Sequence, residues 1–129
     1  MRLIALLAGL IFSISLSSAE VAEVTVKEAV ARMKKEPKLV VIDVRTPREF
    51  AKGHIKGAIN LNMRDKDFAE RLAKLDRKKT YLMHCASGGR SAASIPVWKQ
   101  LKFEKVLHLT AGAKGWQKAG QTLVIPKKK

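Results

Sequence analysis

A chain of 129 residues, 47% of them hydrophobic, is long enough to bury one core and too short for two, which excludes a second domain and a disordered chain alike. Its formal net charge of +15 favours anionic partners, yet aromatics make up only 5% and no nucleic-acid motif is present, so nucleic acid is set aside. One cysteine and 3 histidines, at separations that match no ligand spacing, set aside a metal site and any intrachain disulfide.

The first residues read as an export signal. Arg2 supplies a positive start, residues 3–16 are apolar, and Ser17, Ser18 and Ala19 form a small-residue cleavage site. Cleavage is expected after Ala19, leaving residues 20–129 as a single domain that begins at Glu20 and ends in a short basic tail, Pro126 to Lys129. The apolar run is shorter than the roughly 18 residues a membrane span needs, and serines interrupt it. No stable span is therefore expected after cleavage, and the mature protein is expected to be periplasmic or secreted.

Thr25 and Glu28 have the spacing of a capping box, with Val26, Ala29, Val30 and Met33 at helical intervals behind them, which predicts a helix to about Lys35 that Pro37 ends. Residues 39–42 are a continuous apolar run of the kind found in a strand covered on both faces, and they deliver Asp43 and Arg45 to its carboxyl end. Pro47 opens a short helix through Glu49, Phe50 and Ala51, closed by Gly53, and residues 58–61 form another short strand. Phe68, Ala69, Leu72, Ala73 and Leu75 line one side of a helix expected over about residues 65–75. Residues 80–84 are the strand that precedes Cys85. A helix over residues 91–101 contains Pro96, which should kink or break it about one turn in. Residues 105–109 are a strand and residues 112–118 a closing helix. Strands alternating with helices predict an α/β fold with a central, mostly parallel sheet flanked by helices on both sides. Ligands of such sheets sit beyond the strand carboxyl ends, where Cys85, Asp43 and Arg45 gather.

Cys85 opens the segment Cys85-Ala86-Ser87-Gly88-Gly89-Arg90-Ser91. A lone thiol between a buried strand and a helix start, with two glycines in the loop, is built like a nucleophile in an anion cradle. The glycines let the chain fold back so that successive N–H groups point inward, and the helix start adds partial positive charge. Ionisation alone gains little. A fall of about two in pKa raises the thiolate fraction roughly 25-fold, but the accompanying loss of nucleophilicity returns most of a factor of ten. Holding and orienting an anionic substrate against the sulfur must contribute more. The competing reading is a buried structural cysteine, since cysteine is among the most buried residue types. In an oxidising compartment, however, an unpaired thiol points to a reactive group or an intermolecular disulfide, and no second cysteine is present to resolve an adduct.

The polar neighbours each allow two readings. Arg90 either contacts the bound anion or braces the loop through its carbonyls and a carboxylate such as Asp43. Ser91 caps the next helix and can donate to the thiolate. His84 invites a Cys-His dyad, but adjacent strand residues face opposite sides, so a core position is the better reading. His54 reads as structural and His108 as an ordinary strand residue.

Together with Asp43-Val44-Arg45, Glu49-Phe50, the segment from Gly53 to Asn60 and that from Gly112 to Trp116, the loop closely resembles a rhodanese-like sulfurtransferase domain over residues 25–121. The resemblance implies that Cys85 attacks a sulfane sulfur and carries it as a persulfide. It also implies that Ala86, Ser87, Gly88, Gly89, Arg90 and Ser91 shape the substrate pocket. The implied partners are an anionic sulfur donor such as thiosulfate and a thiol or cyanide acceptor, with no cofactor. His84-Cys85 followed by a glycine-rich loop and an arginine also looks like a cysteine phosphatase, whose loop places five residues between cysteine and arginine. This chain has four, Ala86 to Gly89, a tighter cradle better matched to sulfur than to a phosphoryl group. A catalytically idle binding module is the third alternative.

Overall fold

The computed structural model describes residues 8–12 and 19–127. Most of the expected export signal, Ser17 and Ser18 of its cleavage site included, lies outside the described residues, as do Lys128 and Lys129. Leu10, Ile11 and Phe12 are exposed, so these apolar side chains take no part in the core.

Five strands, β1 (Glu20–Val24), β2 (Val40–Asp43), β3 (Ile59–Asn60), β4 (Thr80–His84) and β5 (Lys105–Leu109), form one sheet in the order β1-β5-β4-β2-β3. Every pairing is parallel. The helices are α1 (Val26–Lys35), α2 (Pro47–Ala51), α3 (Phe68–Ala73), α4 (Gly89–Gln100) and α5 (Gly112–Lys118). This is the expected α/β architecture. Its two apolar layers follow from the period-2 alternation of each strand. Along β4, Tyr81 and Met83, with Cys85 just beyond, enter one core together with Phe68, Trp98 and Phe103. Leu82 enters the other, with Ala29, Ile55, Leu107 and Trp116.

The local signals place most boundaries. Thr25 accepts from the Glu28 amide at 3.1 Å while Glu28 accepts from the Thr25 amide at 3.3 Å, so α1 starts on a complete capping box. Thr46 caps α2 ahead of Pro47 by accepting from the Glu49 amide at 3.3 Å.

Three elements differ from expectation. β1 is absent from the sequence reading, because Glu20 and Glu23 interrupt its apolar residues and it lies at the edge of the sheet, paired with β5 alone. α3 is shorter than residues 65–75. Asn62 accepts from the Arg64 amide and donates to Asp65, holding the chain in a turn, and the Asp67 side chain makes no capping bond. Pro96 does not end α4, which runs on to Gln100. Its ring deprives only the Ala92 carbonyl of a partner, and Pro96 and Ala92 are both exposed, so water can satisfy that oxygen. Fully buried Trp98, packed against Phe103 at 4.8 Å and Tyr81 at 5.7 Å, holds the turn that follows.

Candidate active site

Cys85 is the first residue beyond β4, and its side chain is 1% exposed. Two donors reach its sulfur, the Gly88 amide at 3.1 Å and the Ser91 hydroxyl at 3.3 Å. Burial pushes the thiol up, but the Ser91 hydroxyl and the amides of Ser91, Ser87 and Gly88 outweigh it, and the thiol is more acidic than an ordinary cysteine. The loop thus favours the thiolate, as its composition predicts.

Two glycines make the loop possible, and only one of them lies within it. Gly88 has φ +100, and a Cβ there would lie 2.4 Å from the Thr110 carbonyl oxygen. Gly112, at φ +65, would place a Cβ 2.4 Å from the Ala86 carbonyl oxygen. That close approach lets the start of α5 clamp the loop: the Ala113 amide donates to the Cys85 carbonyl at 2.9 Å and the Lys114 amide to that of Ala86 at 3.0 Å. With its carbonyls held outward, the loop turns its amides toward the sulfur. Gly89 contributes nothing of this kind. It opens α4 with ordinary backbone geometry, and open space surrounds the position of its missing Cβ.

Arg90 makes no hydrogen bond to the sulfur. Its guanidinium forms a two-pronged pair with Glu49 on α2, at 2.8 and 2.7 Å. The expected carboxylate, Asp43, is unavailable because Arg45 occupies it through Nε at 3.0 Å and Nη2 at 2.7 Å, fully within the core. Arg45 also donates to the Gly53 carbonyl at 2.8 Å and so ties β2 to the segment after α2.

The Arg90 fork holds the Glu49 carboxyl down from 4.5 to about 2, against partial desolvation and with help from the Thr46 hydroxyl. A carboxyl held below its unfolded value contributes stability that is complete above pH 4.5 and is lost as the pH falls toward 2. The two side chains are 22% and 34% exposed, and solvent screening limits the contribution to about 1 kcal/mol. Urea titrations are expected to show the wild type losing this increment over that window and Glu49→Gln showing a correspondingly shallower fall.

His84 belongs to the opposite face. Its Nδ1 lies 2.8 Å from the Cys85 carbonyl oxygen and its Nε2 3.8 Å from Asp43, and burial lowers its pKa despite that carboxylate, so it stays neutral. It makes no dyad with the thiol. His54 stacks on Phe50 at 3.8 Å and exchanges two backbone hydrogen bonds with Val124, which draws the C-terminal segment across the site.

A cavity of about 270 Å³ opens beside the loop, lined by Ala86 together with Arg45, Lys52, Lys114, Gln117 and Leu123. Glu49 also lines it, but Arg90 already neutralises that carboxylate. Lys52 and Lys114 make no ion pair among the described residues, so the mouth carries net positive charge.

Of the residues expected at the site, Cys85, Ser87, Gly88 and Ser91 gather around the sulfur, Ala86 lines the mouth, and Gly89 and Arg90 make no hydrogen bond to the sulfur. Sequence reasoning missed Glu49 as the partner of Arg90, Gly112 as the contact point for the loop, and His108. His108 faces α4 from β5, with Nε2 2.7 Å from the Ser91 hydroxyl. Its place in a strand was legible, but not that β5 lies beside β4 and turns His108 toward Ser91.

The profile of the rhodanese-like domain family matches residues 25–119. The probable adenylyltransferase/sulfurtransferase MoeZ of Mycobacterium tuberculosis is 37% identical over 84 residues, covering 65% of this chain and 21% of the relative, so this chain spans about a fifth of that protein. A sulfurtransferase of Allochromatium vinosum is 30% identical over 88 residues, covering 68% of this chain and 80% of the relative. Among solved structures, a rhodanese-related protein from Thermoplasma volcanium superposes with a TM-score of 0.72 at 28% identity, over 81% of this chain and 99% of that one.

Proposed function

Since the chain belongs to the rhodanese-like domain family, we propose that it is a sulfurtransferase that carries a sulfane sulfur as a persulfide on Cys85. The observation that carries this reading is the acidified thiol beneath the Gly88 and Ser91 donors, beside a positively charged mouth. Relatives named as sulfurtransferases support the same reaction class.

With thiosulfate as donor, the Cys85 thiolate attacks the outer sulfur. A bond forms between Sγ and that sulfur, the S–S bond of thiosulfate breaks, and its electron pair leaves with sulfite. The persulfide anion keeps the charge that the loop amides and Ser91 stabilise. An acceptor then attacks the outer sulfur and returns Cys85 as thiolate. Cyanide leaves as thiocyanate, and a thiol acceptor leaves as a persulfide. Because Cys85 is the sole cysteine, the sulfur must pass to another molecule. Lys52 and Lys114 serve to draw the anionic donor to the mouth. Ala86, Ser87, Gly88 and Ser91 form the cradle, and Arg90 supports it through Glu49. Four residues between Cys85 and Arg90 favour sulfur over a phosphoryl group.

Intact mass spectrometry of the purified protein tests the reaction. Thiosulfate should add one sulfur atom to Cys85 with release of sulfite, and cyanide should remove it. Turnover of aryl phosphates at a comparable rate, with no sulfur adduct, would instead make the protein a phosphatase. We also propose export, with the mature chain beginning at Glu20. N-terminal sequencing of the periplasmic or secreted fraction should read Glu20 first, and a membrane-bound form that retains Met1 would overturn it.

A further inference from the structure

His108 is 3% exposed and sits on β5, an inner strand between β1 and β4, yet nothing in the reaction above uses it. Its Nε2 lies 2.7 Å from Ser91 Oγ, and its Nδ1 is buried with no hydrogen-bond partner among the described residues. Ser91 Oγ in turn has three polar neighbours: His108, the Gly88 carbonyl at 3.1 Å and the Cys85 sulfur at 3.3 Å. A hydroxyl carries one proton, so it can donate to only one of them at a time. Which one receives it depends on the imidazole. A bare Nε2 at 2.7 Å would capture the proton and leave the sulfur facing oxygen lone pairs. A protonated Nε2 would donate to Oγ and release the hydroxyl proton for the sulfur.

The surroundings decide between the two tautomers. Placing the hydrogen on Nδ1 would bury an N–H without an acceptor, which is rarer and costlier than burying an unused lone pair. The groups around the ring do not change this. Glu23 stands opposite on β1, Met83 opposite on β4, Ser91 approaches from α4, and His84 is neutral. Burial lowers the His108 pKa although Glu23 opposes it, in keeping with a neutral ring.

We propose that His108 is a positioning residue: its Nε2–H donates to Ser91, which fixes the Ser91 hydroxyl with its proton toward the Cys85 sulfur. The chain His108 to Ser91 to Cys85 then supplies one of the donors that hold the sulfur as an anion, before and after it accepts a second sulfur. Between a thiolate and the Gly88 carbonyl, the charged acceptor forms the stronger bond. The role rests on the reading of Cys85 as the reactive sulfur.

Two measurements test it. A long-range proton–nitrogen correlation spectrum of the wild-type protein should show the hydrogen of the His108 ring on Nε2, and finding it on Nδ1 would overturn the proposal. The pH dependence of Cys85 alkylation by iodoacetamide should then separate two variants. His108→Met matches the ring in length but has no donor, and the midpoint of its alkylation profile should move up by about one pH unit, as expected for weakening one charge-assisted bond, with a fall of only about two- to threefold in rate at pH 7 because the more basic thiolate is the better nucleophile. His108→Gln places an amide N–H near the position of Nε2 and should recover most of the wild-type pH profile. A methionine variant with the wild-type profile, or a glutamine variant no better than methionine, would reduce His108 to a space-filling residue. Should the methionine variant not fold, the tautomer in the wild type decides. The donor assay is kept separate. A protein that shows the expected tautomer and profiles yet takes no sulfur from thiosulfate retains the His108 role and loses the proposed activity, whereas sulfur uptake with unchanged profiles removes the His108 role alone.

Discussion

Gly88→Ala is expected to destabilise the protein by on the order of 3 kcal/mol and to cut sulfur uptake by roughly 10²-fold, while Gly89→Ala leaves both nearly unchanged. At Gly88 the backbone stands at φ +100, where an L side chain is strained, and the new Cβ would meet the Thr110 carbonyl oxygen at 2.4 Å. The obstacle is backbone at the end of β5, so no side chain can swing aside. Either the loop or the β5–α5 connection must shift, and each movement draws the Gly88 amide from its 3.1 Å contact with the sulfur. Gly89 opens α4, is exposed, and has nothing within 4 Å of its missing Cβ. Alanine there gains up to about 1 kcal/mol of helix propensity. Thermal melts and persulfide formation measured on both variants decide the matter. Equal effects at the two positions would mean that the loop needs glycine for general flexibility and not for one contact.

Arg90→Lys and Glu49→Gln are expected to fail together, each losing about 1 kcal/mol of stability and on the order of tenfold in sulfur uptake. The structure puts the guanidinium 2.7 and 2.8 Å from the Glu49 carboxylate, so the pair ties the first turn of α4 to α2 across the mouth of the site. Lysine keeps the charge but cannot form both bonds, and glutamine keeps the shape but not the charge. If Arg90 instead bound the donor, Glu49→Gln would free the guanidinium, and the apparent donor affinity should rise. Melting temperature, alkylation against pH and donor kinetics on the same preparations separate the two cases. Unchanged melting in Arg90→Lys, with the loss confined to donor affinity, would remove the bracing role.

Much of this architecture was legible before any coordinates. Thr25 with Glu28, Pro47, and the apolar runs before Asp43 and Cys85 are local signals, and local hydrogen bonding and side-chain alternation make them reliable. The prediction failed where local pattern and tertiary demand diverged. β1 holds its place by pairing with β5, although its glutamates break the apolar pattern. Pro96 survives inside α4 because the carbonyl it orphans faces solvent and Trp98 anchors the next turn. Gly89 looked equivalent to Gly88, since sequence shows composition but not the sign of φ.

The sequence by itself determined the α/β class, the parallel sheet, the strand that presents Cys85 and the loop of Ala86 to Ser91, because each depends on residues within a few positions of one another. Only the tertiary structure decided which groups meet across the strand ends. Asp43 went to Arg45, leaving Glu49 for Arg90. Gly112 came against Ala86, and His108 against Ser91. These partners lie 17 to 41 residues apart wherever they join α4 to another element. Strand order sets such contacts, and strand order comes from how the whole chain buries its two apolar layers, which no short stretch of sequence records.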